Sequence, residues 1–572
     1  MTARSLTPSL SFDGTSLMRM LLALVLMSLA ALPVQATTYY FSDCQAGADV
    51  GCHAGSEAND GLSPDKPKQL VPARSLVDSL VGGDQLLLAR NGSWRIETSA
   101  FWTGNNKGSA ANHIVIADYT PAGYQGSAKP LITVTGLESN CLTITNGGDI
   151  PVHKEGFTFK NIKCVGPGAG TNSNGVFTYN DVSDVLIENV DFSEFGIGVY
   201  PGTGNAPGAK TSRLTLRNSF IHDNGVQGLF GGGPYLLLEG NRFDNNGFYS
   251  NPLLRNHNIY LAAPDFHGAI VRGNTLTRSA VCGPRTNYAC GVQDTCQGVS
   301  LVVHGTTDDL VIENNLIDET PGAGGGCYGI QIAPGYGEAE GYAGSVVRGN
   351  QIVNVGSNAI DIGSCPFCVV EDNVVAWTTK PTVTVQGVVV PSGNSGSGDV
   401  ADTNVTVRNN SIYLSGNSAY NTGIMVKSVG SGHKVVNNLV YFAPDTSAQA
   451  RCFDTTGLTR SSYKAFDHNI CYSDRADHAV AYSPAYATLA AAQAAQFDVH
   501  GKNANPSVSI PTVDNGYAMK PSSRDSLAAG GGHPRWSKRL GFQGKMNPEF
   551  PLFIGAFPYK PTITAPASPQ PD

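Results

Sequence analysis

One short unit recurs along the chain and restricts its fold more than any other feature. The unit is two or three apolar residues, a charged residue, any residue, Asn, then apolar residues again. It appears as Leu238-Glu239-Gly240-Asn241-Arg242-Phe243, as Val271-Arg272-Gly273-Asn274-Thr275-Leu276 and as Ile312-Glu313-Asn314-Asn315-Leu316-Ile317. Val347-Arg348-Gly349-Asn350-Gln351-Ile352, Val370-Glu371-Asp372-Asn373-Val374-Val375 and Val407-Arg408-Asn409-Asn410-Ser411-Ile412 continue it. Weaker copies centre on Asn161, Asn189, Asn218, Asn438 and Asn469. Many units carry a second short alternating strand, such as Asn258-Ile259-Tyr260-Leu261, Gly329-Ile330-Gln331-Ile332 and Ala359-Ile360-Asp361-Ile362. One such strand cannot bury its apolar side alone. Coiling the chain so that like strands stack gives parallel sheets around one core. The expectation is an all-β solenoid of about eleven or more coils, about 50 Å long or more.

Two columns follow from stacking. The Asn tolerates a left-handed backbone at a tight turn, and its amide can bond the Asn of the next coil. The charged position reads Glu239, Arg272, Glu313, Arg348, Glu371, Arg408, alternating in sign without a break. Stacked in register, every neighbour is an opposite charge.

The ends read differently. Arg19, the apolar stretch Met20 to Leu32 and the small residues Val34 and Ala36 form a secretory signal, too short for a membrane span. Residues 1–36 are therefore expected to be removed, 37–110 to form an N-terminal cap and first strands, and 111–480 the coils. Residues 481–560 are expected to form a C-terminal cap and 561–572 a disordered tail. Short helices are expected over Pro72–Val81 and Ala485–Gln496. The mature chain is expected to be secreted or periplasmic, monomeric and free of the membrane. Only 14% of residues are charged, the formal charge is −8, and no basic run suggests nucleic acid. All 12 cysteines follow the signal. Export favours disulfides, and proximity pairs Cys44–Cys52, Cys141–Cys164, Cys282–Cys290, Cys296–Cys327 and Cys452–Cys471. Cys365 and Cys368 are expected to close a local disulfide rather than a redox or zinc motif.

The opening Tyr39-Tyr40-Phe41-Ser42 and Asn59-Asp60-Gly61-Leu62-Ser63-Pro64-Asp65-Lys66-Pro67 are similar to the lead-in of many secreted bacterial β-helix proteins. Pro521-Ser522-Ser523 and Ile554-Gly555-Ala556-Phe557 are similar to their ending, and the coils resemble the pectate-lyase-like superfamily. The resemblance spans residues 38–558 and implies a right-handed parallel β-helix. It implies no single activity, because lyases, hydrolases, epimerases, tailspikes and adhesins share that fold.

Alternation places Gly198, Phe230, Tyr260, Ser300, Gln331, Asp361, Val389 and Met425 in one outward column, with Tyr200, Val302 and Lys427 in the next and His304 a step beyond. A groove over that sheet would suit a linear sugar chain. The densest polar cluster is Arg255-Asn256-His257-Asn258-Ile259-Tyr260 with Asp265, beside the Cys-rich insertion 279–297 that carries Arg285. Elimination from an acidic polysaccharide needs a base, an acid and a cation for the sugar carboxylate. His257 or His304 would be the base, Tyr260 the acid, and Arg255 or Arg285 the carboxylate partner. Asp265, Gln331, Asp361 and Lys427 would bind substrate. The reading is a polysaccharide lyase, with a hydrolase or epimerase, or a non-catalytic polysaccharide-binding β-helix, as alternatives. Calcium is a candidate cofactor, although no acidic loop resembles a calcium motif.

Overall fold

The structure, a computed structural model, describes residues 36–146, 155–202, 210–249, 256–264, 266–289, 292–335, 339–390, 399–427, 430–478 and 480–522, with 527–528, 532 and 554–556. The signal segment, Arg255, Asp265, Cys290 and the tail from 557 lie outside them. From Thr38 the chain is one compact unit.

Three parallel sheets make up that unit. The first has 14 strands, the second 13 and the third 12, each joining a strand to its counterpart one coil away. They run from Thr38–Phe41 to Tyr463–Asp467, from Ser93–Ile96 to Ile470–Ser473, and from Phe101–Thr103 to Arg451–Asp454. At about 4.8 Å per coil the stack is about 60 Å long. One core runs its length, from Phe41 and Leu86 through Ile259, Ile330 and Ile360 to Phe466 and Phe497.

The charged column stacks as expected. Glu239 pairs with Arg272, Arg272 with Glu313, Glu313 with Arg348, Arg348 with Glu371 and Glu371 with Arg408. The column also extends towards the N-terminus through Arg217, Glu188 and Lys160. Each arginine reaches back to the preceding glutamate: Arg217–Glu188 at 2.8 Å, Arg272–Glu239 at 2.7 Å, and Nε of Arg408 to Glu371 at 2.6 Å.

The Asn column divides into two jobs that the sequence reading gave to one residue. The ladder residue itself hands on hydrogen bonds. Asn274 donates its backbone N–H and its amide to Asn315 Oδ1, both at 3.0 Å, and Asn315 does the same to Asn350. The same step recurs from Asn241 to Asn469 and ends on Asp498. The left-handed backbone falls on the residue before, such as Gly273 (φ 63°), Asn314 (φ 55°) and Asp372 (φ 58°). Asn161, Asn189 and Asn218 occupy this left-handed position (φ 61°, 50° and 51°) and not the ladder. In the last of these coils Ser219 takes the ladder place and donates to Asn241 Oδ1.

Glycines at several strand entrances of the third sheet sit at an inward corner. A Cβ on Gly198 would lie 2.4 Å from Ile221, and one on Gly423 2.5 Å from Val440. The two end helices are shorter than expected, at Arg74–Ser79 and Leu489–Ala494. A second apolar cluster joins Tyr413, Tyr441 and Tyr472, on the second sheet, to Met519, Ala528 and Ile554. The disulfides Cys44–Cys52, Cys141–Cys164, Cys296–Cys327, Cys365–Cys368 and Cys452–Cys471 are present. Cys282 is also disulfide-bonded. Several disulfides fit an oxidising, extracytoplasmic compartment, and among the described residues no helix is long and apolar enough to cross a membrane.

Candidate functional site

The register of the third sheet corrects the expected outward column. Tyr260 pairs with Phe230 and with Val302, not Ser300. Val302 pairs with Gln331, Gln331 with Asp361, Asp361 with Val389, and Val389 with Met425. On the other side Tyr200, not Gly198, precedes Phe230, and Phe177 pairs with Tyr200. Gly198 and Ser300 lie at the inward corner, where Ser300 donates to the buried Glu319 at 2.8 Å.

That register lines aromatic rings up along the outer face. Phe177 and Tyr200 are 5.3 Å apart, Tyr200 and Phe230 5.1 Å, and Phe230 and Tyr260 5.1 Å. Tyr260 then meets His304 edge-on at 5.5 Å. All are partly exposed. Beside this ladder lies an open cavity of about 380 Å³, lined by Tyr200, Phe230, Ala262, Pro264, Thr306 and Glu340 among others.

Glu340 is the carboxylate in the cavity wall. It is buried, yet its carboxylate is well satisfied: Oε1 accepts from Gly305 N at 2.7 Å and Tyr342 Oη at 2.9 Å, and Oε2 from Gly335 N at 2.6 Å. His304 Nδ1 is 3.4 Å from Oε1. Burial lowers the His304 imidazole from its ordinary 6.5, against the pull of Glu340 and the Ala333 carbonyl. The imidazole is therefore neutral at pH 7. The loop carrying Gly335 presses on it, and a Cβ there would be 2.2 Å from His304 Cε1.

Of the residues singled out from sequence, His257, Tyr260 and His304 come together. His257 is buried; its Nδ1 accepts the Val299 N–H at 3.1 Å, and burial pushes its pKa down to about 3. Its ring packs edge-on to Tyr260 at 5.1 Å. Gln331 and Asp361 adjoin, Gln331 Nε2 donating to Asp361 Oδ2 at 3.5 Å. Asp361 is buried, its carboxyl pushed up to about 6 by desolvation. Lys427 lies farther along the same face, 3.6 Å from Asp454. Arg285 joins a different group: it pairs with Glu194, lies 3.8 Å from Asp223 and stacks on Phe248. Arg255 and Asp265 lie outside the described residues.

Sequence reasoning missed Glu340 and Asp402. Glu340 meets His304 across 36 positions of chain, and no local pattern marks it. Asp402 is buried beside the Cys365–Cys368 disulfide, accepts the Cys365 N–H at 2.8 Å, and is pushed up to about 7 by desolvation, with Asp361 adding to the rise.

Residues 140–337 match the family described as right-handed beta helix region. No curated protein matches the chain. Among solved structures, a lacto-N-biosidase from Eubacterium ramulus aligns at 14% identity over 78% of this chain and 69% of that one, with a TM-score of 0.39. The Dettilon tailspike protein aligns at 14% identity over 67% and 64%, with a TM-score of 0.45. An alginate lyase from Paenibacillus sp. aligns at 16% identity over 57% and 95%, with a TM-score of 0.31. From its three stacked parallel sheets and the family matched in its middle, this chain is a right-handed parallel β-helix protein.

Proposed function

We propose that this is a secreted protein that binds a linear polysaccharide along the outer face of the third sheet and cleaves it by β-elimination. The observation that carries the reading is the continuous ring ladder from Phe177 to His304, beside a cavity walled by Glu340. Ring faces at about the repeat of a sugar chain offer apolar stacking, and polar tips offer hydrogen bonds to hydroxyls. A neutral imidazole held by a carboxylate is suited to take a proton next to a sugar carboxylate. In this reading His304 is the base, Glu340 orients it, and Tyr260 protonates the leaving oxygen. His257, neutral and enclosed, positions Tyr260. Lys427 supplies positive charge to an acidic chain farther along the face.

A hydrolase is the second reading, favoured by Asp361 and Asp402. Their carboxyls are pushed up to about 6 and about 7, and a carboxyl that keeps its proton near neutrality is what a glycosidase acid requires.

The test is a panel of acidic and neutral polysaccharides, followed for ultraviolet-absorbing unsaturated ends and for reducing ends. Unsaturated ends from an acidic polymer support elimination, and reducing ends alone support hydrolysis. Binding without either product overturns both reactions and leaves a binding protein.

A further inference from the structure

The last coil carries a cluster far along the chain from the ring ladder. Asp467 ends the final strand of the first sheet, His468 follows it in the turn, and His500 lies in the loop after the helix Leu489–Ala494. Asp467 Oδ1 accepts two backbone N–H groups, from His468 at 2.9 Å and from His500 at 2.7 Å. Its Oδ2 faces both imidazoles, 2.7 Å from Nδ1 of His500 and 3.3 Å from Nδ1 of His468. The two rings stack with centroids 4.6 Å apart and planes 30° apart. One donor atom from each of the three residues lies within 4.8 Å of the others.

We propose that Asp467, His468 and His500 bind a divalent transition-metal cation of the zinc class. Two imidazoles and one carboxylate suit zinc and its borderline neighbours, whereas calcium and magnesium seek oxygen alone. Zinc bonds of about 2.0–2.2 Å set donors roughly 3.0–3.5 Å apart. Of the spacings to Oδ2, 3.3 Å already fits and 2.7 Å needs a small opening, which the His500 side chain, 64% exposed, has room to make. The carboxylate can only accept, so His500 now donates its Nδ1 proton to Oδ2. A metal on Nδ1 needs that nitrogen's lone pair, so the proton leaves Nδ1 when the cation binds. Two protein nitrogens and one oxygen leave further positions for water.

The position of His468 adds a separate reason. It takes the left-handed turn (φ 59°) that Asn, Asp or Gly takes in the other coils from Asn161 to Asn437. A histidine there is an uncommon choice for the backbone, and it puts an imidazole where a ligand is needed. A bound cation would tie the turn of the last coil to the cap loop.

The experiment uses untagged full-length protein, stripped with chelator and desalted, then titrated with zinc chloride in a calorimeter. One zinc per chain is expected, with a rise in melting temperature. His500→Ala, whose side chain is largely exposed, is expected to keep the metal-free melting temperature and weaken zinc affinity by more than the ~10–100-fold that loss of an outer partner costs. His468→Ala is expected to weaken it likewise. Absence of zinc binding by the wild type, or a His500→Ala variant that binds as the wild type does, overturns the proposal.

Discussion

Arg272 donates to Glu239 at 2.7 Å although the two are 33 positions apart in sequence. The contact exists only because one coil lies directly on the last, and the same step joins Arg348 to Glu313 and Arg408 to Glu371. The ladder thus reports the register of the first sheet from Lys160 to Arg408.

Arg272→Glu would place three glutamates in a file. The pair is partly exposed, with 41% of the Arg272 side chain accessible, so its loss is screened and modest. The expected cost is roughly 1 kcal/mol from urea unfolding at low salt. At 1 M salt, where the screening length is about 3 Å, most of that cost is expected to vanish. An equal cost at both salt levels would show that the charge is not what the column contributes.

Buried amides are a different case. Asn315 gives its amide to Asn350 Oδ1 and to the Val271 carbonyl, and receives two bonds from Asn274. Asn315→Ala leaves two donors of Asn274 without their acceptor and removes one bond to the Val271 carbonyl. Each unsatisfied group costs about 1–3 kcal/mol, so the variant is expected to lose about 3 kcal/mol or more in denaturant unfolding. A loss near that of an exposed Asn would contradict the ladder's role.

These two columns were legible in the sequence for a simple reason. Each sits at a fixed offset within a short unit, so differing loop lengths do not disturb it. The ring ladder was harder to see. Val299-Ser300-Leu301-Val302-Val303 is apolar at nearly every position, and alternation alone offers Ser300 and Val302 equally as outward residues. The inward corner at Gly198 and Ser300 decides between them, and only the three-dimensional path shows it. Glu340 was invisible for another reason: its partners Gly305 and His304 belong to the previous coil, and Glu340 itself lies outside the repeated unit.

Asp498 ends the Asn ladder with a carboxyl in place of an amide. Burial pushes it up from its ordinary 3.8 to about 7, while it accepts from Asn469 N at 3.0 Å and from Tyr482 Oη at 2.7 Å. A pKa raised by folding means that the protonated form is favoured in the native state. Its contribution is full below about pH 4 and is lost as pH rises through about 7. Asp498→Asn, which continues the ladder without a charge, is expected to gain stability over the wild type at pH 8 and to show little gain at pH 4. Melting temperatures of both proteins across that range check it, and a gain that does not grow with pH would contradict the assignment.

The groove makes a prediction about pH as well. Burial lowers the His304 imidazole, so the acid limb of kcat/KM is expected below pH 6.5. Glu340 opposes that lowering, so Glu340→Gln is expected to move the limb to still lower pH. A limb that stays where it was would remove Glu340 as the partner of the base.

Stacking of sugar on the rings is tested separately. Phe230 lines the cavity and is flanked by Tyr200 and Tyr260. Phe230→Ala is expected to weaken oligosaccharide binding by about 2- to 10-fold, since such ring contacts are worth about 0.5–1.5 kcal/mol. Calorimetry with an oligosaccharide of the active polymer reads it directly, and unchanged affinity would place the sugar elsewhere.

The most direct measurement is the rate at which unsaturated ends appear from an acidic polysaccharide with the wild type and with His304→Ala. The account predicts steady release by the wild type and a drop of at least about 100-fold in the variant, both proteins melting alike. Release by His304→Ala at the wild-type rate, or no unsaturated ends from any acidic polymer, would contradict it.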